Sequence, residues 1–68
     1  MEIRITTEFI RLDSLLKLCD LVSSGGEAKV VIQSGLVSLN GEICTERGRK
    51  LRGGEEISYK NKNIKVLK

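Results

Sequence analysis

A chain of 68 residues, 40% of them apolar, can form one domain with a thin core but has no room for a deep, dry cleft, which argues against catalysis. The chain has no histidine and only two cysteines, Cys19 and Cys44, which exclude an ordinary zinc ligand set and a disulfide framework. We therefore expect no metal and no cofactor, while the net charge of +3 favours a polyanionic partner.

The N-terminal residues contain no hydrophobic signal core, and no apolar run approaches the ~18 residues that a membrane span requires. These features predict a cytoplasmic protein that makes no contact with a membrane. We expect residues 1–68 to form one domain that acts as a monomer.

The first part of the chain predicts a strand followed by a helix. Ile3 and Ile5 alternate with polar residues, a pattern typical of a half-buried strand. Between residues 12 and 22 the apolar positions change to a helical period. Asp13 or Ser14 is expected to cap the start of this helix, because either side chain can accept backbone N–H bonds.

A second helix is predicted over residues 27–34, after a break at residues 23–26. Ser24 is the expected N-cap, and Glu27 lies at the spacing of a capping box. Gly35 stands where helices commonly end in a left-handed residue.

The remainder of the chain predicts several short strands joined by turns. The Asn40-Gly41 dipeptide is a strong hairpin signal, because both residues accept a positive φ. Further turns are expected at Gly53-Gly54 and at residues 61–63. The alternating apolar residues of the predicted strands are Val37 and Leu39, then Ile43, then Ile57 and Tyr59, and finally Ile64 and Val66. The fold class is therefore α+β.

An ordered set of residues runs through most of the chain: Arg11-Leu12-Asp13, Leu16, Ser24, Ala28, Ile32, Gly35, Val37, Leu39-Asn40-Gly41, Leu51, Gly54, Glu55 and Ile57. In order and spacing, over about residues 8–58, this set resembles the S-four (alpha-L) RNA-binding domain. Within this family, the chain is most similar to the bacterial YaaA/YbcJ-type group, in its stand-alone length and in residues 24–29 and 47–52. The resemblance implies two helices packed on a small, mostly antiparallel sheet. It also implies RNA against the first-helix start, the second helix and the loop after the hairpin.

The residues themselves place polar or cationic groups at the same three positions. They are Arg11 at the first-helix start, Lys29 and Gln33 on one face of the second helix, and Arg47, Arg49, Lys50 and Arg52 in the loop. Arginine suits such a surface because its planar fork pairs with two phosphate oxygens. Arg11 could instead pair with Asp13 or Glu8, and Leu51 is predicted to anchor the loop in the core.

The segment Ser24-Gly25-Gly26 allows two interpretations. Many members of the resembled family carry a basic residue at the position of Gly25, so a side-chain phosphate contact is missing here. Backbone N–H groups of Gly25 and Gly26 at a helix N-terminus could bind the phosphate instead. The alternative is an interhelical turn with a cap and no contact to RNA.

Aromatic residues make up only 3% of the chain, so stacking of single-stranded bases is not expected to dominate. We therefore expect a structured RNA partner, with ribosomal RNA first and ribosomal proteins as further partners. The loop, rather than the lysines from 60 to 68, is expected to carry the affinity. The alternatives are a ribosome-associated adaptor that binds protein, and a DNA-binding helix-turn-helix protein.

Overall fold

Two α-helices and seven short β-strands make up the computed structural model, which describes residues 1–68. In chain order the elements are β1 (Glu2–Arg4), β2 (Ile10–Arg11), α1 (Leu12–Leu18), α2 (Gly25–Gln33), β3 (Val37–Leu39), β4 (Glu42–Ile43), β5 (Lys50–Leu51), β6 (Glu56–Tyr59) and β7 (Lys62–Leu67). Neither helix has the length and apolar character needed to cross a membrane.

Five of the strands form one sheet in the order β1-β7-β6-β3-β4, and β2 pairs with β5 in a separate two-stranded ladder. Every pair is antiparallel except β1 with β7, which is parallel. The prediction of an α+β fold, with two helices and a mostly antiparallel sheet, is confirmed.

One apolar core joins the sheet to both helices. Its residues come from the alternating positions of the strands and from the helical stripes that the sequence predicted, as Leu15, Ala28, Ile57 and Val66 illustrate. Cys44 belongs to this core, whereas Cys19 is half-buried at its edge, and both thiols are free. Burial raises the pKa of the Cys19 thiol, and the neighbouring Asp20 carboxylate adds to the effect.

Two tight hairpins set the register of the sheet. Asn40 and Gly41 have φ values of 52° and 87°, as the predicted turn requires. The turn predicted at residues 61–63 was wrong, because Lys60 and Asn61 occupy the turn with φ values of 50° and 64°. Lys62 of β7 already pairs with Tyr59 of β6, and this register places Ile64 opposite Ile57 in the core.

The helix α1 begins without a side-chain cap, so the prediction of Asp13 or Ser14 as its cap was wrong. The N-cap position is Arg11, whose backbone is extended because β2 pairs with β5. The helix can therefore begin only at Leu12, and Asp13 falls within its first turn.

The cap of α2 is confirmed, but the helix begins two residues earlier than predicted. Ser24 Oγ accepts a hydrogen bond from the Glu27 N–H at 3.1 Å. The Glu27 carboxylate accepts the N–H of Ser23 at 2.6 Å, one residue before the position that a strict capping box uses. Gly35, with φ of 80°, follows the helix in the left-handed conformation that the sequence predicted.

Candidate nucleic-acid interface

The basic loop, residues 47–52, lies against residues 8–13, which we call the anchoring segment. The Leu12 N–H donates to the Arg49 carbonyl at 2.9 Å, and the Asp13 N–H donates to the Arg47 carbonyl at 3.1 Å. The β2–β5 ladder continues this pairing along the chain. Main-chain hydrogen bonds therefore fix the basic loop at the start of α1, and part of the loop is a strand.

The β2–β5 ladder has an apolar side and a cationic side. Ile10 lies opposite Leu51, and Leu51 is fully buried, which confirms its predicted role as an anchor. Arg11 lies opposite Lys50, and both residues are exposed. Like charges at directly opposed positions of a ladder reduce stability, so this pair does not contribute to folding.

Phe9, next to β2, holds two cations of the basic loop. The Lys50 ammonium lies 4.9 Å from the centroid of the Phe9 ring, and the Arg52 guanidinium carbon lies 5.7 Å from it. Both contacts are in the range of cation–π interactions. Arg52 also pairs with Glu8, whose carboxylate oxygen lies 3.1 Å from Nη1.

Asp13 is the one buried charged residue of the protein, with 6% of its surface exposed. Its Oδ2 atom accepts hydrogen bonds from Arg11 Nη2 and from Arg47 Nε, each at 3.1 Å. Its Oδ1 atom accepts the Ser14 N–H at 2.8 Å. The expected pairing of Arg11 with Asp13 is therefore present, and Arg47 shares the same carboxylate.

Arg49 lies apart from the other cations of the loop. It lines an open hollow of about 310 Å³ beside the β3–β4 hairpin, together with Glu42, Ile43 and Glu46. Arg49 takes part in none of the three ion pairs of the protein, and its guanidinium remains available to a ligand.

Glu55 closes the C-terminal end of the basic loop. Its two carboxylate oxygens accept the N–H groups of Arg52 and Gly53, at 2.9 and 2.8 Å. Burial alone would raise the pKa of Glu55, but these backbone hydrogen bonds, with the nearby Arg49 charge, outweigh burial and lower the pKa. Gly53 and Gly54 have φ values of 124° and 97°, which favour glycine at the predicted turn.

The start of α2 is open to solvent. Gly25 and Gly26 are the first two residues of the helix rather than an interhelical turn. Their N–H groups donate no hydrogen bond within the chain, and a Cβ placed on Gly25 would meet no atom within 4 Å. Hydrogen bonds from the Ser23 N–H and hydroxyl lower the pKa of Glu27, so a carboxylate stands beside this opening.

Lys29 and Gln33 are exposed on α2, and their side chains make no hydrogen bond or ion pair within the chain. No hydrogen bond or ion pair joins their side chains to the basic loop, and their contact with RNA stays a prediction. The structure instead brings together Arg11, Arg47, Lys50 and Arg52, all through the anchoring segment.

Sequence reasoning missed Phe9 and the full role of Asp13. The spacing of Arg11 and Asp13 gave a signal for one ion pair. The second pair joins residues 34 positions apart, and the sequence carries no signal of that contact.

Comparison with known proteins places these features in a family. The model of the S4 domain family matches residues 3–67. The Bacillus subtilis (strain 168) protein named "Probable ribosome maturation protein RlbA" is 44% identical over 55 residues, which cover 81% of this chain and 78% of that protein. YbcJ of Escherichia coli (strain K12) is 31% identical over 58 residues, which cover 85% of this chain and 83% of YbcJ.

The solution structure of Escherichia coli YbcJ, described as revealing an alpha-L motif involved in RNA binding, has the same fold. It superimposes with a TM-score of 0.75 at 26% identity, over 98% of this chain and 86% of that one.

Proposed function

Because the chain belongs to the S4 domain family, we propose that it is a non-enzymatic, single-domain protein that binds structured RNA. We propose that the binding surface is formed by the basic loop and the anchoring segment, and that the start and exposed face of α2 add further contacts with the RNA. The observation that carries the proposal is the grouping of Arg11, Arg47, Lys50 and Arg52, whose side chains are held in place on one side of the β2–β5 ladder.

Ribosomal RNA is the proposed target, and the cytoplasm is the proposed site of action of the monomer. The name of the Bacillus subtilis relative, which refers to ribosome maturation, supports a ribosomal target. The description of the YbcJ motif as involved in RNA binding supports the class of ligand. Ribosomal proteins are the further partners that such a target would bring close to the chain.

The aromatic residues support a structured rather than a single-stranded RNA. Tyr59 is buried in the core, and the Phe9 ring already contacts Lys50 and Arg52. Neither ring is free to stack on an unpaired base, which is how single-strand binders obtain much of their affinity. Phosphates held in the geometry of an A-form helix are the targets that remain for a surface of arginine and lysine.

Two matched double variants test whether the basic loop carries the affinity. Arg49→Ala with Lys50→Ala removes two loop cations that have no carboxylate partner. Lys62→Ala with Lys65→Ala removes the same charge from strand β7 of the β6–β7 hairpin. Fluorescence anisotropy with a ribosomal RNA fragment should show a loss of about 1 to 3 kcal/mol for the loop variant and well under 1 kcal/mol for the hairpin variant. A larger loss from the hairpin variant would contradict the proposed surface.

Crosslinking in cells, followed by sequencing of the attached RNA, tests the identity of the target. We expect enrichment of one region of ribosomal RNA. Binding of the purified chain to that RNA without any protein would distinguish an RNA-binding protein from an adaptor that reaches the ribosome through a protein partner. Recovery of no RNA in cells, or binding that requires a ribosomal protein, would overturn the proposal.

A further inference from the structure

Two arginines from distant parts of the chain share one buried carboxylate oxygen. Arg11 precedes α1 and Arg47 begins the basic loop, yet both donate to Oδ2 of Asp13 at 3.1 Å. Both guanidinium groups therefore lie within hydrogen-bond distance of the same oxygen atom. The three groups together carry two positive charges and one negative charge, so a single positive charge is left uncompensated.

Both arginines keep unpaired donors and exposed side chains. Arg47 contacts Asp13 through Nε, which leaves both of its terminal nitrogens without a partner in the chain. Arg11 uses only Nη2 and leaves its other nitrogens free. The side chains are 49% and 38% exposed for Arg11 and Arg47, whereas that of Asp13 is 8% exposed. Solvent, or a ligand, therefore reaches the arginines but not the carboxylate.

We propose that Arg11 and Arg47 form one preorganised site for a single phosphate group, in which Asp13 is the positioning residue. The donors that remain match the oxygens of a tetrahedral phosphate, which arginine binds in bidentate fashion. Because Asp13 fixes both side chains before binding, less rotamer entropy is lost when the phosphate arrives. In RNA this phosphate is a backbone phosphodiester, so the proposal rests on the proposed RNA-binding function.

Asp13→Asn distinguishes a positioning role of Asp13 from simple electrostatic attraction, because the two would change the RNA affinity in opposite directions. The substitution removes a negative charge beside the proposed surface, and Coulomb attraction alone would then tighten the binding of RNA. If Asp13 positions the arginines, binding weakens in spite of the added positive charge. Glu2→Gln is the matched control, because it makes the same charge change at an exposed carboxylate that pairs with no arginine.

Anisotropy titrations with a structured RNA should show about tenfold weaker binding for Asp13→Asn, as expected for one lost charge-assisted hydrogen bond. Glu2→Gln should bind as tightly as the natural chain, or more tightly. The backbone amide spectrum should show that the core remains folded in both variants. Equal or tighter binding by a folded Asp13→Asn variant would overturn the proposal.

Arg47→Lys tests the same site if Asp13→Asn does not fold. Lysine keeps the charge but cannot present the planar fork, so the RNA affinity should fall about fivefold or more. Full affinity in this variant would overturn the site.

Titration with inorganic phosphate, followed through the Arg side-chain N–H signals, tests the site without RNA. The Arg47 Nε–H signal should shift and saturate, and it should shift more than that of Arg52. An unmoved Arg47 signal would overturn the phosphate site. If the natural chain binds no RNA but the Arg47 signal still saturates, the RNA-binding function is wrong and the phosphate site stands for a free phosphate.

Discussion

The buried side chain of Leu51 determines the direction of Lys50 and Arg52 in the basic loop. Leu51 is fully buried opposite Ile10, and the strand alternation then turns Lys50 and Arg52 away from the core. The contacts of these two cations with Phe9 depend on that orientation. The position of Leu51 therefore matters for the surface as well as for stability.

Leu51→Ala should lower the free energy of unfolding by about 2 to 5 kcal/mol, because it leaves a cavity in a core that is already thin. Urea unfolding followed by circular dichroism would measure the change. Leu18→Ala is the control, since Leu18 is 60% exposed and its loss should change stability by no more than about 0.5 kcal/mol. Similar losses for the two variants would show that Leu51 is not an anchor.

Two carboxylates should make the stability depend on pH in the acid range. The hydrogen bonds described above hold the pKa of Glu27 and of Glu55 below the ordinary value of 4.5. Such groups stabilise the folded state above their unfolded pKa, and this contribution is lost as the pH falls through the lower folded pKa. Melting temperatures recorded from pH 7 to pH 2 should therefore drop, and the drop should be smaller in Glu27→Gln and Glu55→Gln. Glu42 belongs to no ion pair of the protein, and Glu42→Gln should melt in parallel with the natural chain.

At the scale of elements, periodicity predicted both helices and most of the strands, although α1 ends at Leu18 and not at residue 22, and Asp20 beyond it has a positive φ of 58°. Apolar residues at every second position, Ile57 and Tyr59 and then Ile64 and Val66, were sufficient to predict these strands, because one face of the sheet is buried. The β2–β5 ladder could not be predicted, because each strand has two residues and exists only through its distant partner. The candidate site, likewise, could be predicted only in part. Charge density located the basic loop, whereas its attachment to Asp13 and Phe9 depends on long-range contacts.

The first turn of α2 offers a test in which stability and binding should change in opposite directions. Gly25 has no positive φ, and a Cβ there would meet open space. Gly25→Ala should therefore raise the free energy of unfolding by about 0.4 to 1 kcal/mol, because it restricts the unfolded chain. If the backbone of this turn approaches a phosphate, the added methyl group should weaken the binding of RNA several-fold. Chemical unfolding and anisotropy titrations on one preparation would measure both changes, and unchanged RNA affinity would show that this helix start makes no contact with RNA.

At the scale of the whole molecule, the proposed binding of RNA depends more on where the charged side chains lie than on the net charge. A net charge of +3 is small, and nine acidic residues are spread over the same chain. Several carboxylates are nevertheless occupied in holding the surface together, since Asp13 and Glu8 bind arginines and Glu55 binds the backbone of the loop. Arg11, Arg47, Lys50 and Arg52 are thus held in place, and we expect a fixed group of cations to favour a ligand whose phosphates are also fixed.

We expect the chain to prefer RNA to DNA, because its fixed cations should match the fixed phosphates of a structured RNA. A structured RNA presents A-form phosphates and 2′-hydroxyls, so it should bind more tightly than a DNA duplex of the same length and sequence. If four to six cations neutralise phosphates, the slope of log K against log salt should be roughly −3 to −5 for the RNA. Titrations of both nucleic acids at several salt concentrations would measure the preference and the slope together. Equal affinity for the two at moderate salt would support the DNA-binding alternative, and a slope near zero would contradict binding through phosphates.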